Sequence, residues 1–170
     1  MKKVYITALL IGSLSISSVF ATDGGKKDKA KAEAQVSNVV LNQFTYEFKD
    51  AQAVKWSVDA NCQKALFTFE GKQMTAFYSL SGEYLGVTHT TEFTKVPADA
   101  QKEITTKYKE YTIGDVIEFQ PAVTNSASIY SFSSYSNDEK VYFVDLKNDK
   151  EEFLLRVTPN SSVYFFKQIK

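Results

Sequence analysis

The segment VSNVVLNQFTYEFKDAQAVKWSV, residues 36–58, changes its hydrophobic period partway along. Apolar side chains recur every four positions from Val36 to Phe48, which places them on one face of a helix. From Val54 to Val58 apolar and polar residues alternate instead, as they do in a strand with one buried face. The segment therefore predicts a helix that is followed directly by a strand.

Trp56 is the only tryptophan of the chain and lies in phase with Val54 and Val58 on this predicted strand. A strand tryptophan can also stack on a sugar or a base. Because its neighbours in phase are apolar, we favour core packing. Replacing it with alanine is then expected to cost about 3–5 kcal/mol.

A similar pattern begins again near Val96. Pro97 suits the first position of a helix. Ile104 and Tyr108 follow at the helical spacing of four, 60 residues after Phe44 and Phe48. A further strand is expected at 115–120. We interpret this as an internal repeat whose four anchors fix each helix to a sheet.

Short predicted strands with turn residues between them fill the rest of both halves. In the first half these are 64–69, 73–80 and 83–89, separated by turns that contain Gly71 and Gly82. In the second half they are 140–146, 151–157 and 163–168, separated by Asn-Asp and Pro-Asn-Ser turns. The predicted fold class is α+β: a tandem repeat of one helix plus antiparallel β-hairpins, with the helices packed on one face of an antiparallel sheet. The first repeat covers 36–93 and the second 94–170, with a Ser-rich insertion near 122–139.

The first 21 residues are typical of an export signal. Lys2 and Lys3 provide the positive end, an apolar stretch follows, and cleavage is expected after Ala21. An N-terminal membrane anchor is the alternative, but serines make the stretch short for a span. Residues 22–35 contain no side chain that is larger and more apolar than alanine, which predicts a flexible linker. We therefore expect a periplasmic or secreted protein with no membrane span after cleavage.

The charge balance argues against nucleic acid as a partner. Lys and Arg number 20 and Asp and Glu number 20, so no general attraction to phosphates exists. Arg156 is the only arginine, and on its predicted strand it either pairs with a buried acid or lies on the open sheet face. Cys62 is the only cysteine, which excludes an intramolecular disulfide. We favour a buried, inert thiol over a bond to another chain.

Few residues could carry catalysis. His89 is the only histidine, so a Ser–His or Cys–His nucleophile pair would have to use it. One histidine and one cysteine fall short of the ligands that zinc needs, and we expect neither metal nor cofactor. A cleft that joins His89 with several acids would contradict this expectation. A carboxylate pair is the remaining alternative, which would make the chain an exported hydrolase. The acids considered for it are Asp138, Glu139, Asp149, Glu151 and Glu152.

The Ser-rich insertion contains Tyr130, Phe132 and Tyr135. These rings either pack on the sheet as an edge strand or form a loop that contacts a partner, since rigid aromatic side chains make good contact anchors. If the sheet carries helices on one face only, its other face is free to bind. The function predicted from the residues is an exported, non-enzymatic binding module of the cell envelope, with Tyr130, Phe132 and Tyr135 as predicted partner contacts.

The order of structural motifs resembles a known family. The motifs are Phe44-x3-Phe48-Lys49-Asp50-Ala51-x2-Val54-Lys55-Trp56, Ala65-x-Phe67, Ala76-Phe77-Tyr78-x3-Gly82, Val96-Pro97-x6-Ile104-x3-Tyr108 and Ile113-x2-Val116. Over 36–119 the chain is similar to the PepSY-like, beta-lactamase-inhibitor-like family of exported bacterial proteins. The resemblance implies a helix-plus-sheet fold and an envelope location. It implies no activity, and no functional residue carries over.

Overall fold

The structure, a computed structural model, describes residues 36–122 and 140–170. They include two α-helices, α1 (Asn38–Glu47) and α2 (Ala98–Lys107), and a short 3₁₀ helix at Phe93–Lys95. The strands are β1 (Gln52–Val58), β2 (Cys62–Phe69), β3 (Lys72–Ser79), β4 (Tyr84–Thr91), β5 (Thr112–Pro121), β6 (Val141–Lys147), β7 (Glu152–Val157) and β8 (Val163–Gln168).

Helix α1 begins at a side-chain cap and ends at Phe48. The Ser37 hydroxyl accepts a hydrogen bond from the Val40 N–H at 3.3 Å, which satisfies one of the donors that a helix start leaves free. At the other end the Phe48 N–H donates to the Phe44 carbonyl at 2.8 Å. Val40 and Phe44 are buried and Phe48 packs beside them, so the predicted helix face is confirmed.

Helix α2 has a charge distribution that suits its dipole. Pro97 is the N-cap, Asp99 lies in the first turn and Lys107 in the last. A negative charge near the start and a positive charge near the end both stabilise a helix. Ile104 is buried and Tyr108 packs against the same cluster, as the sequence predicts.

All eight strands form one sheet in which each strand pairs antiparallel with the next in the chain. Gly71 and Gly82 connect β2 to β3 and β3 to β4 with φ angles of +76° and +93°, so both predicted glycine turns are confirmed. These angles lie in the region that side chains disfavour.

Both helices pack on the same face of the sheet, which we call the helix face. Directly opposed residues of antiparallel strands project to one face. The row that packs under α1 consists of Trp56, Ala65, Ala76 and Val87. Thr91 projects to the same side as Val87, because they lie four residues apart in β4. It opposes Val116, which packs under α2. The other side of the sheet is called the opposite face below.

The helix face is buried in two separate clusters. Under α1, the Phe44 ring lies 5.1 Å from Trp56 and 4.9 Å from Phe67, measured between ring centroids. Trp56 is 8% exposed, so its predicted place in the core is confirmed. Under α2, Ile104 joins a mainly aliphatic cluster that includes Val144 and other residues of β6 and β7.

The predicted fold class is wrong. The strands do not form a tandem of separate helix-plus-hairpin units, because β4 and β5 pair through six opposed positions from Gly86 with Pro121 to Thr91 with Val116. An unpaired strand edge exposes a row of backbone donors and acceptors, and joining the two edges satisfies them. One continuous eight-stranded sheet results, with only two α-helices in the described part of the chain.

Candidate functional site

The opposite face carries an aromatic surface on β5 to β8. A row of directly opposed residues crosses it: Thr90, Ile117, Phe143, Arg156 and Tyr164. The Phe166 ring packs on Phe143 with their centroids 4.8 Å apart. We call Phe119, Phe143, Tyr164 and Phe166 the aromatic strip. Arg156 lies within it, which places this side chain on the sheet face and decides the question that the sequence left open.

The strip combines a buried base with an exposed rim. Phe143 is 3% exposed, whereas Tyr164 is 55% exposed. Leu154, which lies on the same face, is 5% exposed. Buried residues therefore occur on both faces of β6 and β7, and each strand contains three consecutive buried positions. An amphipathic strand would bury only every second residue.

Toward β1 the opposite face becomes polar. The neighbouring row of opposed residues contains Lys55, Leu66, Thr75, Thr88, Phe119 and Val141, in that order. Leu66 is 37% exposed among these polar neighbours. The face therefore offers an aromatic half that contains Arg156 and also Asp145, opposite Leu154, and a polar half that contains Lys55.

The helix face contains a groove along β4. Eight strands spaced about 4.8 Å apart span about 34 Å, whereas two helices about 10 Å wide cover about 20 Å. The middle of the sheet therefore lies between the helices. The groove has a volume of about 620 Å³. Its lining comes from the C-terminal end of α1, from β2 to β5, from the 3₁₀ helix and from Lys140, which precedes β6.

An ion pair between a buried carboxylate and an exposed lysine lies in the floor of the groove. Glu118 of β5 is 5% exposed, and the Lys140 Nζ lies 2.7 Å from its Oε1. The distance is that of an ion pair, but the geometry at the Glu118 Oε1 is not that of a hydrogen bond. Breaking such a pair would leave a buried charge without compensation. Lys140 therefore compensates the charge of Glu118.

His89 lies in the groove directly opposite Glu118. Burial is the main cause that lowers the pKa of His89 below its ordinary value of 6.5. Glu118 acts to raise this pKa, while Lys72 and Lys140 act to lower it further. The groove thus joins His89 with the carboxylates of Glu70 and Glu118. Glu118 is paired with Lys140, and Glu70 is exposed.

The free energy of unfolding should fall less on acidification when His89 is replaced with glutamine. Because the folded-state pKa of His89 is below 6.5, the unfolded chain binds the proton more readily. The contribution of His89 is therefore complete above pH 6.5 and is lost as pH falls toward the folded-state pKa. Urea unfolding from pH 8 to pH 5 should show a shallower decline for His89→Gln than for the wild type. Identical slopes would contradict the assigned direction.

The acids of the hydrolase alternative do not form a site in the described residues. Asp149, Glu151 and Glu152 lie around the turn from β6 to β7, where the Tyr111 hydroxyl donates to Glu151. Tyr142, which opposes Glu118, and Lys147, which opposes Glu152, lie five residues apart in β6, about 16 Å at 3.3 Å per residue. Asp138 and Glu139 lie outside the described residues, as do Tyr130, Phe132 and Tyr135. The predicted partner contacts therefore stay a prediction.

Cys62 is fully buried at the start of β2. Burial is the main cause that raises the pKa of its thiol to about 11, with Asp59 acting in the same direction and Lys64 against it. A thiol that stays protonated near neutral pH is a poor nucleophile and a poor partner for disulfide exchange. The structure thus agrees with the inert thiol.

Residues 36–122 and 140–170 contain neither a membrane-spanning helix nor a group of side chains that could hold a metal ion. Within this part of the chain, neither helix has the length and apolar character that a membrane crossing requires. Within the same ranges, histidine, cysteine and carboxylate side chains form no group of three or more that could hold a metal ion.

One antiparallel sheet in chain order with two helices on one face defines a fold that solved structures share. No protein-family model matches the chain, and no curated protein matches it. A DUF2874 family protein from Bacteroides uniformis ATCC 8492 is 14% identical with a TM-score of 0.62, over 78% of this chain and 89% of that chain. A BLIP-like protein from Bacteroides fragilis NCTC 9343 is 11% identical with a TM-score of 0.60, over 78% of this chain and 86% of that chain.

A third similar structure is that of a protein from Bacteroides eggerthii DSM 20697 that is predicted to be periplasmic. It is 14% identical with a TM-score of 0.63, over 79% of this chain and 89% of that chain. Likeness at these identities shows the fold alone. The chain has a beta-lactamase-inhibitor-like fold, which confirms that part of the resemblance. Its PepSY-like part stays a prediction.

Proposed function

We propose that this chain is an exported, non-enzymatic module of the cell envelope that binds a protein through the opposite face of its sheet. The observation that carries the proposal is the only arginine of the chain, Arg156, placed between Phe143 and Tyr164 on that face. Arginine and tyrosine are enriched at the energetic centres of protein interfaces. Both helices lie on the other side, so a partner can reach the strip without displacing them.

The arrangement of the strip suits a contact site. Phe143 and Phe166 form a firm base at a centroid distance of 4.8 Å, and Tyr164 projects from it with 55% exposure. A rigid aromatic side chain loses little conformational entropy when it is bound. Arg156 is half-buried beside it, so its guanidinium is partly ordered before binding. The partner expected here presents an acidic or carbonyl-rich patch next to an apolar one.

The comparisons support the class of function and the location. One similar structure is called BLIP-like and another is predicted to be periplasmic. These descriptions agree with the export signal proposed at residues 1–21 and with a binding role. Tyr130, Phe132 and Tyr135 remain proposed contacts in addition to the strip.

Replacing Tyr164 or Arg156 with alanine should weaken the proposed complex by about 30-fold or more, because each substitution removes an interface anchor. The partner would first be cross-linked on the intact envelope and then purified. Its affinity for wild type and variants would be measured by calorimetry. Unfolding midpoints should stay near the wild-type value for Tyr164→Ala, since this side chain is exposed.

The matched control is Tyr46→Ala. Tyr46 is 89% exposed on α1, and its replacement is the same chemical change away from the opposite face. We expect its affinity for the partner to equal that of the wild type. Equal weakening by Tyr46→Ala and Tyr164→Ala, or full affinity in both strip variants, would disprove the opposite face as the contact surface.

A further inference from the structure

The groove along β4 has one apolar wall. The Phe48 ring packs against Phe69 at 5.6 Å and against Tyr84 at 6.3 Å, measured between ring centroids. Met74, which opposes His89 in the register, adds a flexible apolar side chain to the floor. Aromatic side chains beside a flexible methionine form an apolar surface that can contact ligand rings of different shapes.

The charged side chains of the lining carry an excess of positive charge. Lys140 neutralises Glu118 at 2.7 Å. The remaining charged groups of the lining are Lys72, Lys95 and Glu70, so one positive charge is in excess when His89 is neutral. Lys72 and Lys95 are exposed, and neither forms an ion pair within residues 36–122 and 140–170. A neutral imidazole contributes one N–H donor.

We propose that this groove binds an organic monoanion, with its carboxylate-type group between Lys72 and Lys95 and its apolar ring against Phe48, Phe69 and Tyr84. The volume of about 620 Å³ lies in the range of small-molecule sites, about 300–1,000 Å³. Lys140 and Glu118 compensate each other's charge, so the ligand needs no second charged group. This site lies on the helix face, so a negative result for ligand binding would leave the protein-binding proposal unaffected.

The test uses naphthoate as the anionic probe and naphthylmethanol as its neutral counterpart with the same ring system. Calorimetry on the full chain should give a Kd for naphthoate of about 1 mM or tighter. The double variant Lys72→Gln/Lys95→Gln should weaken naphthoate binding roughly tenfold, because charge-assisted contacts are lost. Its affinity for naphthylmethanol should not change, since the apolar wall is intact.

The control is Lys102→Gln/Lys109→Gln, which removes the same charge from exposed lysines outside the groove. Unfolding midpoints of both double variants would be measured alongside, so that a folding defect is separated from a binding defect. The proposal is overturned if naphthoate does not bind, if naphthylmethanol binds equally well, or if both double variants lose the same affinity. Selective loss of naphthoate binding in Lys72→Gln/Lys95→Gln supports it.

Discussion

Replacing Gly86 with alanine should destabilise the protein by about 3 kcal/mol or more, because the added methyl group has no space and the backbone conformation is unfavourable. Gly86 has a φ angle of +135°. A Cβ at this position would lie 2.5 Å from the Gln120 carbonyl oxygen and 2.9 Å from the Pro121 Cα. Both atoms belong to the backbone of β5, so relief requires the neighbouring strand to move.

Urea unfolding of Gly86→Ala and Gly71→Ala separates the two causes. Gly71 also has a positive φ, +76°, but a Cβ there would meet no atom within 4 Å. Its replacement should cost only the conformational strain, about 1–2 kcal/mol. A loss for Gly86→Ala no larger than that for Gly71→Ala would mean that β4 and β5 do not approach as closely as described.

Gly86 matters because it lies where the two halves of the chain meet. It opposes Phe77 in β3 and Pro121 in β5, and the register of β3 with β4 shifts between Phe77 and Tyr78. If the halves were separate units, β4 would have no β5 against its free edge and an alanine would fit more easily. The size of the Gly86→Ala effect therefore reports on the continuity of the sheet.

Local features of this fold could be predicted from the sequence. The helical faces of Phe44 and Ile104 follow from spacing within one turn of each helix, and the turns at Gly71 and Gly82 follow from backbone freedom at single positions. Each of these depends on residues close together in the chain. The place of Trp56 in the core follows from its phase with two valines in the same strand.

The pairing of β4 with β5 could not be predicted in this way. Twenty residues, which include α2, separate Thr91 from Thr112, and the ladder between the strands uses backbone groups that every residue has. A repeated local pattern is therefore equally compatible with two units and with one sheet. The tandem-repeat prediction failed at this step.

The groove depends on that pairing and was missed for the same reason, while the strip depends on other pairings between strands. The groove exists because eight joined strands are wider than two helices, and its members Lys72, His89 and Glu118 come from three strands. Arg156 gains its aromatic neighbours only through the registers of β6, β7 and β8. The one available signal was the run of apolar residues in β6 and β7, which indicates strands with both faces buried.

Replacing Ile104 with alanine should shift the unfolding of the whole sheet, including the half that does not contain it. Truncation of a buried isoleucine costs about 2–5 kcal/mol, and that of a buried phenylalanine such as Phe44 about 3–5 kcal/mol. Ile104 is 1% exposed in the cluster under α2, whereas Trp56 lies in the cluster under α1. Since Trp56 is the only tryptophan, its fluorescence reports on the α1 cluster alone.

In a single cooperative sheet, loss of packing under α2 lowers the free energy of unfolding of the whole domain. The decrease measured by Trp56 fluorescence should then equal the decrease measured by circular dichroism. Phe44→Ala should shift both signals together as well, and Tyr46→Ala, at an 89% exposed position, should shift neither. Two independent units would behave differently, since Ile104→Ala would then leave the fluorescence transition in place and split the circular dichroism curve. Coincident transitions are expected, because β4 and β5 share six opposed positions and neither half can lose its sheet without exposing the edge of the other.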